Sequence, residues 1–525
     1  MSLVREVTTL AELPTRVSQH HGQKPALILQ GETLTYEGLE RRANRMAQSL
    51  LLEGILPGDR IAVLGKESLD SLALLFGTAK ARAVYVNINW RLSVEEIAYI
   101  LDDASPRLLF VDGEFLHLVP KLLERLAFQP EVLTLSAAHP DWQSSSQWSR
   151  GAPDSAPELA YDPEEVAVQV YTSGTTGHPK GVQLAHRSFF ALAREMDERG
   201  EQWLGWTERT VYLSFVPTFH IGGLWGLVRG LAVGSTSILL RTFDPAAILQ
   251  AISRYRITQL CAVPAMLQVL LMEPGLRDAD LSSLETVVYG GSPISPSLLE
   301  RAMESFGCGF CQLYGMTETG NVAICLLPED HRGADHRRLR AAGRPLPGVE
   351  VRILDERGNE LGAGAVGEIA LKSPARMVGY WKQPEATART MAHGWVLTGD
   401  AGYRDEEGFL YVCDRLKDMI ICAGENIYSA EIENVVRGHG GVADVAVIGV
   451  PDELWGETVK AIVVPRPGFT LRAGDIMQHA RAHLAEFKVP KSVDFVEQLP
   501  RNASGKLLKE QLRRPYWQGR ERRIN

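Results

Sequence analysis

A chain of 525 residues is longer than one ordinary hydrophobic core supports, so two or more domains are expected. Hydrophobic residues make up 45% and charged residues 23%, the balance of a soluble globular protein. The net charge of -9 speaks against a general nucleic-acid binder.

The opening MSLVREVTTLAELP holds Arg5, Glu6 and Glu12 and no apolar run, so no secretory signal is expected there. Leu39, Ala43, Met46, Ala47 and Leu50 share one helical face, which Gly54 and Pro57-Gly58 end. A buried strand follows at 61–64. Ser93 and Glu96 have capping-box spacing ahead of a helix carrying Ile97, Ile100 and Leu101, and Pro106 stops it before a strand at 108–111. This βαβα rhythm predicts parallel sheets covered by helices. The Ser, Pro, Trp and Asp-rich stretch 136–163 reads as a surface connection.

The most apolar stretch, 213–240, is broken by Pro217, His220, Arg229 and glycines, and is expected to be interior rather than a membrane span. Cys308 and Cys311 form a CxxC pair without a second closely spaced Cys/His pair, so SFGCGFCQLYG reads as a short buried strand. Six cysteines make no disulfide framework in a chain this long, and a reducing cytoplasm is expected. The basic segment 331–340 and the tail GRERRIN read as solvated loops. Apolar strands with glycine-rich turns continue to Gly399-Asp400. From Arg415 the pattern becomes compact α+β: a helix from Ser429, a strand at 445–450, a helix from Ala473 and a strand at 493–496. The expected fold is therefore α/β, a large N-terminal domain of parallel and mixed sheets covered by helices (1–416). A small mobile α+β C-terminal domain follows (417–525), with a hinge near Lys417.

The most informative segment is YTSGTTGHPKG, 171–181. Its hydroxyls, its glycines and the charge of Lys180 suit a polyphosphate, although it is not the GxxxxGK[ST] loop. It resembles the signature loop of the adenylate-forming superfamily, which holds acyl-CoA synthetases, aryl-CoA ligases, beetle luciferases and peptide-synthetase adenylation domains. Further motifs of that superfamily follow in its order. They are PTFH ending at His220, YGGSP at 289–293, QLYGMTE at 312–318, TGD at 398–400, DRLKD at 414–418, GENIYSAEIE from Gly424, and NASGK ending at Lys506. The resemblance runs from about Leu34 to the end.

The resemblance implies an ATP-dependent acyl-CoA ligase that joins a carboxylic acid to AMP, releases pyrophosphate and passes the acyl group to CoA, with Mg²⁺. It implies that Thr172, Ser173, Gly174, Thr175, Thr176 and Gly177 embrace the β and γ phosphates beside Lys180. It assigns Thr317 to the α-phosphate and Glu318 to Mg²⁺, which favours hard oxygen ligands. Gly290, Gly291 and Ser292 would face the adenine across from Tyr314, with Gln312 reading its amino edge and Gly315 and Asn426 also at the nucleotide. Asp400 and Arg415 would take the ribose. Lys506, like His220, would be catalytic, bridging carboxylate and α-phosphate from the small domain. Lys417 matches the hinge, and Ala423, Gly424 and Glu425 would border the pantetheine thiol in a second pose of that domain.

Phe219-His220 stands where amino-acid-activating relatives usually carry Phe-Asp, so an α-ammonium would lack a partner. Phe219, Ile221, Gly222, Gly223, Val263 and Pro264 are expected around the acyl group. Segments 216–225 and 261–271 offer no cation for a second carboxylate, and Ile221-Gly222-Gly223 leaves room. A medium- or long-chain fatty acid is the expected substrate. An aryl or cinnamate-like acid is the alternative, and a luciferase-type oxygenase or a silent binding protein are more distant readings. No nucleic acid or transmembrane segment is expected; the oligomeric state stays open, a homo-oligomer included.

Overall fold

The computed structural model describes residues 6–135, 138–172, 178–201, 203–333, 335, 337–422, 425–501 and 507–518. The chain forms two compact units, 1–351 with 371–396, and 352–370 with 397–525.

The larger unit is built on two sheets. One has seven strands in the order Gly379–Tyr380, Lys180–Ala185, Val166–Thr172, Val84–Ile88, Arg60–Leu64, Leu108–Asp112 and Glu131–Leu135. From Val166–Thr172 onward its neighbours are parallel. The other has nine strands. Its central run of parallel neighbours is Gly309–Tyr314, Thr286–Gly290, Gln259–Ala262, Val211–Ser214, Thr236–Leu239 and Pro25–Leu29.

Local sequence explains the helices between these strands. Tyr36–Leu52 starts where the Thr35 side chain accepts from the Gly38 N–H, and it buries the predicted face of Leu39, Ala43, Met46, Ala47 and Leu50. Val94–Ala104 begins with a reciprocal box: Ser93 N–H donates to Glu96 Oε2 (2.9 Å) and Glu96 N–H to Ser93 Oγ (3.3 Å). It stops at Ser105, in the left-handed region (φ 48°), just before Pro106.

Two sequence expectations need correction. The stretch 136–163 is not purely surface: within it Ser145–Trp148 forms one helical turn, and Ser145 is buried with its hydroxyl donating to Asp70 (3.1 Å). Small polar side chains enter the interior once a partner is supplied, which composition cannot show. The basic segment 331–340 is likewise not all solvated. His331 is buried between the Leu327 carbonyl (2.8 Å) and the Tyr289 hydroxyl (2.9 Å), and Leu339 is buried in the core. The CxxC segment does form a strand, Gly309–Tyr314, in which Cys311 is buried 3.9 Å from Cys325.

In the smaller unit, Leu410–Arg415 pairs antiparallel with Trp395–Arg404. A second sheet joins Glu425–Ile427, Ile420–Cys422, Gly456–Pro465 and Val442–Asp452, with Ser492–Phe495 parallel to Gly456–Pro465. Its core gathers Ile420, Ile427, Ile432, Val445, Val459 and Ile476 under the helices Ser429–Arg437 and Ala473–Arg481. The last helix, Lys509–Trp517, holds the segment 416–418. Arg513 donates to the Lys417 carbonyl (3.1 Å) and pairs with Asp418 (2.7 Å), while Lys509 pairs with Glu433 (2.7 Å). Burial alone would raise the Asp418 carboxyl, but Lys509, Arg513 and Lys417 together hold it below its ordinary value. Residues 352–370 and 397–416 are part of this same compact unit.

Candidate active site

Four adjacent parallel strands of the nine-stranded sheet end on one edge, and each carboxyl end runs straight into a sequence motif. Val211–Ser214 leads to PTFH, Gln259–Ala262 to Val263-Pro264, Thr286–Gly290 to Gly291-Ser292, and Gly309–Tyr314 to Gly315 through Glu318. Ligands of open α/β sheets bind at such carboxyl edges.

Gly290 has a second reason to be glycine: a Cβ there would lie 2.5 Å from the Leu313 carbonyl oxygen on the neighbouring strand. Gln312 and Tyr314 sit half-buried on their strand, and Gln312 Oε1 accepts from the Tyr289 hydroxyl (3.0 Å). Thr317 and Glu318 lie on a short turn pinned by Thr319, whose Oγ1 accepts from Met316 N–H (3.0 Å). Glu318 is buried, and its Oε1 accepts from the Tyr380 hydroxyl (2.8 Å).

Tyr380 links this turn to the other sheet. Its two-residue strand pairs with Lys180–Ala185, and the Lys180 ammonium lies 5.0 Å from the centre of its ring. Burial, then the Glu318 carboxylate, push the Tyr380 hydroxyl well above its ordinary pKa, so it stays a donor. Thr172 faces Lys180 in the antiparallel pair, which brings together the two ends of the segment 173–179. Ser173, Gly174, Thr175, Thr176 and Gly177 themselves lie outside the described residues, as do Ala423, Gly424 and Lys506.

The turn before His220 is fastened from the seven-stranded sheet. Glu67 Oε1 accepts from Thr218 N–H (2.6 Å) and Thr218 Oγ1 (3.1 Å), and Asn87 Nδ2 donates to Thr218 Oγ1 (2.9 Å). Burial raises the Glu67 carboxyl, against the pull of those bonds and of Arg91. Phe219 is buried edge-on to Trp90, with ring centres 6.3 Å apart. His220 precedes the helix Ile221–Ala232. Burial, then the Arg91 charge, bring its pKa down to about 4, so the ring is neutral near pH 7. Its Nε2 is shut from solvent without a hydrogen-bond partner.

The helix after His220 corrects one expectation. At Gly223 a Cβ would lie 2.4 Å from the Val216 carbonyl and 2.5 Å from that of Pro217, so this glycine lets the helix press on the preceding turn and leaves no room. At Gly222 a Cβ would meet only Asn321 Oδ1, at 3.8 Å. Trp225 is buried, Val263 precedes the helix Pro264–Leu270, and Ile221 is buried.

In the smaller unit Asp400 pairs with Arg415 (Oδ1 to Nε 3.1 Å) across adjacent strands, and Glu425 and Asn426 are exposed. Burial raises the Glu368 carboxyl, which accepts from Gly399 N–H (3.1 Å) beside Asp400.

Tyr380 and Glu67 do not stand out in the sequence. The signal for Tyr380 is an aromatic pair after Gly379; for Glu67 there is none, since its burial follows from sheet packing. Among the described residues no three His, Cys, Asp or Glu side chains could hold a metal together, and no helix is long and apolar enough to cross a membrane.

A family model described as AMP-binding enzyme matches residues 14–381, and one for the AMP-binding enzyme C-terminal domain matches 431–506. The chain is 44% identical over 522 residues to a fatty acid–[acyl-carrier-protein] ligase of Streptomyces coeruleorubidus, covering 99% of each chain. It is 38% identical to a feruloyl-CoA synthase of an Amycolatopsis species, over 97% of this chain and 99% of that one. The amide bond synthetase McbA of Marinactinospora thermotolerans superposes with a TM-score of 0.86 at 34% identity, covering 97% of this chain and 100% of that one.

Proposed function

The chain belongs to the AMP-binding enzyme family, the adenylate-forming superfamily of acid–thiol ligases, and from that premise we propose that it activates a medium- or long-chain carboxylic acid as its adenylate and transfers the acyl group to CoA. The observation that supports this most is the convergence of four motif loops on adjacent strand ends, with Glu318, Tyr380 and Lys180 joined beside them. One carboxylate oxygen of the acid attacks the α-phosphorus of ATP, and pyrophosphate leaves. The CoA sulfur, giving up its proton, then attacks the acyl carbon, and AMP leaves with the bonding pair.

The chain's own groups serve charge and position. Lys180 and the loop after Thr172 neutralise the outer phosphates. Neutral His220, beside the residues assigned to the acyl group, would add a polar contact without drawing the acid's carboxylate away from the phosphorus. Glu318 suits Mg²⁺: it is a buried carboxylate, and Mg²⁺ commonly takes one or two carboxylates plus substrate phosphates. Bound there, the ion would offset phosphate charge during the displacement. Lys506 and the 423–425 segment serve the first and second half-reactions in turn, through a hinge at Lys417.

The test is CoA-dependent AMP formation with straight-chain acids of graded length beside benzoate, cinnamate and ferulate. A profile led by straight-chain acids supports the reading, and one led by ferulate or cinnamate replaces it with the aryl alternative. The 44% identity to a carrier-protein ligase favours a second reading of the acceptor, the pantetheine thiol of a carrier protein. Parallel assays with CoA and with a pantetheine-loaded carrier protein decide between them.

A further inference from the structure

Arg229 stands in the helix Ile221–Ala232, surrounded in sequence by Leu, Val, Trp, Gly and Ala. It is 8% exposed, and its Nε and Nη1 are sealed from solvent without a hydrogen-bond partner. Burial lowers its pKa to about 10, against the charge of Asp197 nearby, so it remains a guanidinium at neutral pH. A buried cation with two idle donors is costly unless something brings it an acceptor.

Helical spacing puts Gly222, Trp225 and Arg229 on one face. That face starts at the glycine where space is open, beside His220. Long helical side chains lean back towards the helix N-terminus, so the guanidinium runs towards the acyl end of the site. Gly222 and Arg229 are seven positions apart, roughly 10 Å along the axis. A plain alkyl chain gives Arg229 no acceptor. Arg229 lies just beyond the segment 216–225, which by itself holds no cation.

We infer that the acid this chain activates carries an oxygen acceptor at its far end, a carboxylate or a comparable anionic group, and that Arg229 recognises it. This rests on the acid-activating reading and changes the expected substrate from an apolar acid to one polar at both ends. The experiment measures kcat/KM for CoA-dependent AMP formation with hexanoic, octanoic and decanoic acids against adipic, suberic and sebacic acids. It uses the full-length wild type, Arg229→Leu and Arg229→Lys. The wild type should favour at least one diacid over its matching monoacid by about tenfold or more, mainly through KM. Arg229→Leu should reverse that ratio, and Arg229→Lys should keep part of it.

Wild-type preference for the monoacid at every length overturns the inference while leaving the ligase reading intact. So does a diacid preference that Arg229→Leu leaves unchanged. Absence of AMP formation with every acid, aryl acids included, instead sinks the ligase reading and the inference with it. Should Arg229→Leu not fold, the wild-type ratio and Arg229→Lys decide alone.

Discussion

Lys506 carries the sharpest expectation for a single side chain. Lys506→Ala should slow acid-dependent pyrophosphate release on the order of 10²-fold or more, by removing a cation from the adenylation transition state. Thioester formation from supplied acyl-adenylate should persist; an equal fall in both half-reactions would refute the division of labour. His186 offers a stability prediction. It is buried with Nδ1 accepting from Leu10 N–H (3.1 Å), and burial lowers its pKa to about 4. Its folded pKa therefore lies below the unfolded value near 6.5, so the unfolded chain binds the extra proton first. Stability from this group is complete above about pH 6.5 and is lost as pH falls towards 4, by roughly 3 kcal/mol. His186→Asn, which keeps an acceptor but does not titrate, should flatten the acid limb of melting temperature against pH; superimposable limbs would discount His186. Single residues were also where the sequence was least legible. Glu318 and Asp400 stood out because their motifs have fixed spacing, whereas Glu67, Tyr380 and Arg229 matter through neighbours far away in the chain, which only the packing reveals.

The helix Ile221–Ala232 shows what an element's sequence can and cannot disclose. Its apolar, interior character was readable, but its start after His220 was not, and two successive glycines looked alike and are not. Gly223→Ala should prevent stable folding or lower the melting temperature sharply, because the new methyl group meets two backbone carbonyls that cannot move aside. Gly222→Phe should fold and cut activity on longer acids more than on shorter ones. Assaying both variants across chain length checks the pair, and a uniform fall for Gly222→Phe would place the acid elsewhere. The helices Tyr36–Leu52 and Val94–Ala104 were legible because caps and periodicity are local signals. The one-turn helix Ser145–Trp148 was not, since four residues carry no period and its serines resemble a loop.

For the molecule as a whole the order of motifs gave the chemistry, and long-range pairing supplied the sheets that carry them. Under the two-pose proposal, Gly424→Leu should retain acid-dependent pyrophosphate exchange and lose acyl-CoA production, with the melting temperature unchanged. Intact thioester formation in that variant would remove the proposed thiol route. The C-terminal helix bears on the same cycle. Arg501 and Leu507 form an antiparallel bridge, Leu508 N–H donates to the Pro500 carbonyl (2.9 Å), and Lys509 and Arg513 anchor the helix Lys509–Trp517 beyond it. The two residues that flank 502–506 in the chain are thus bonded to each other. The chain on either side of Lys506 is tied down, at Arg501 and at Leu507, so the lysine is carried between two anchors rather than on a free tail, and the search open to it is smaller. A chain cut just after Lys506 would keep the lysine but lose the anchor at Leu507, and should adenylate as poorly as Lys506→Ala.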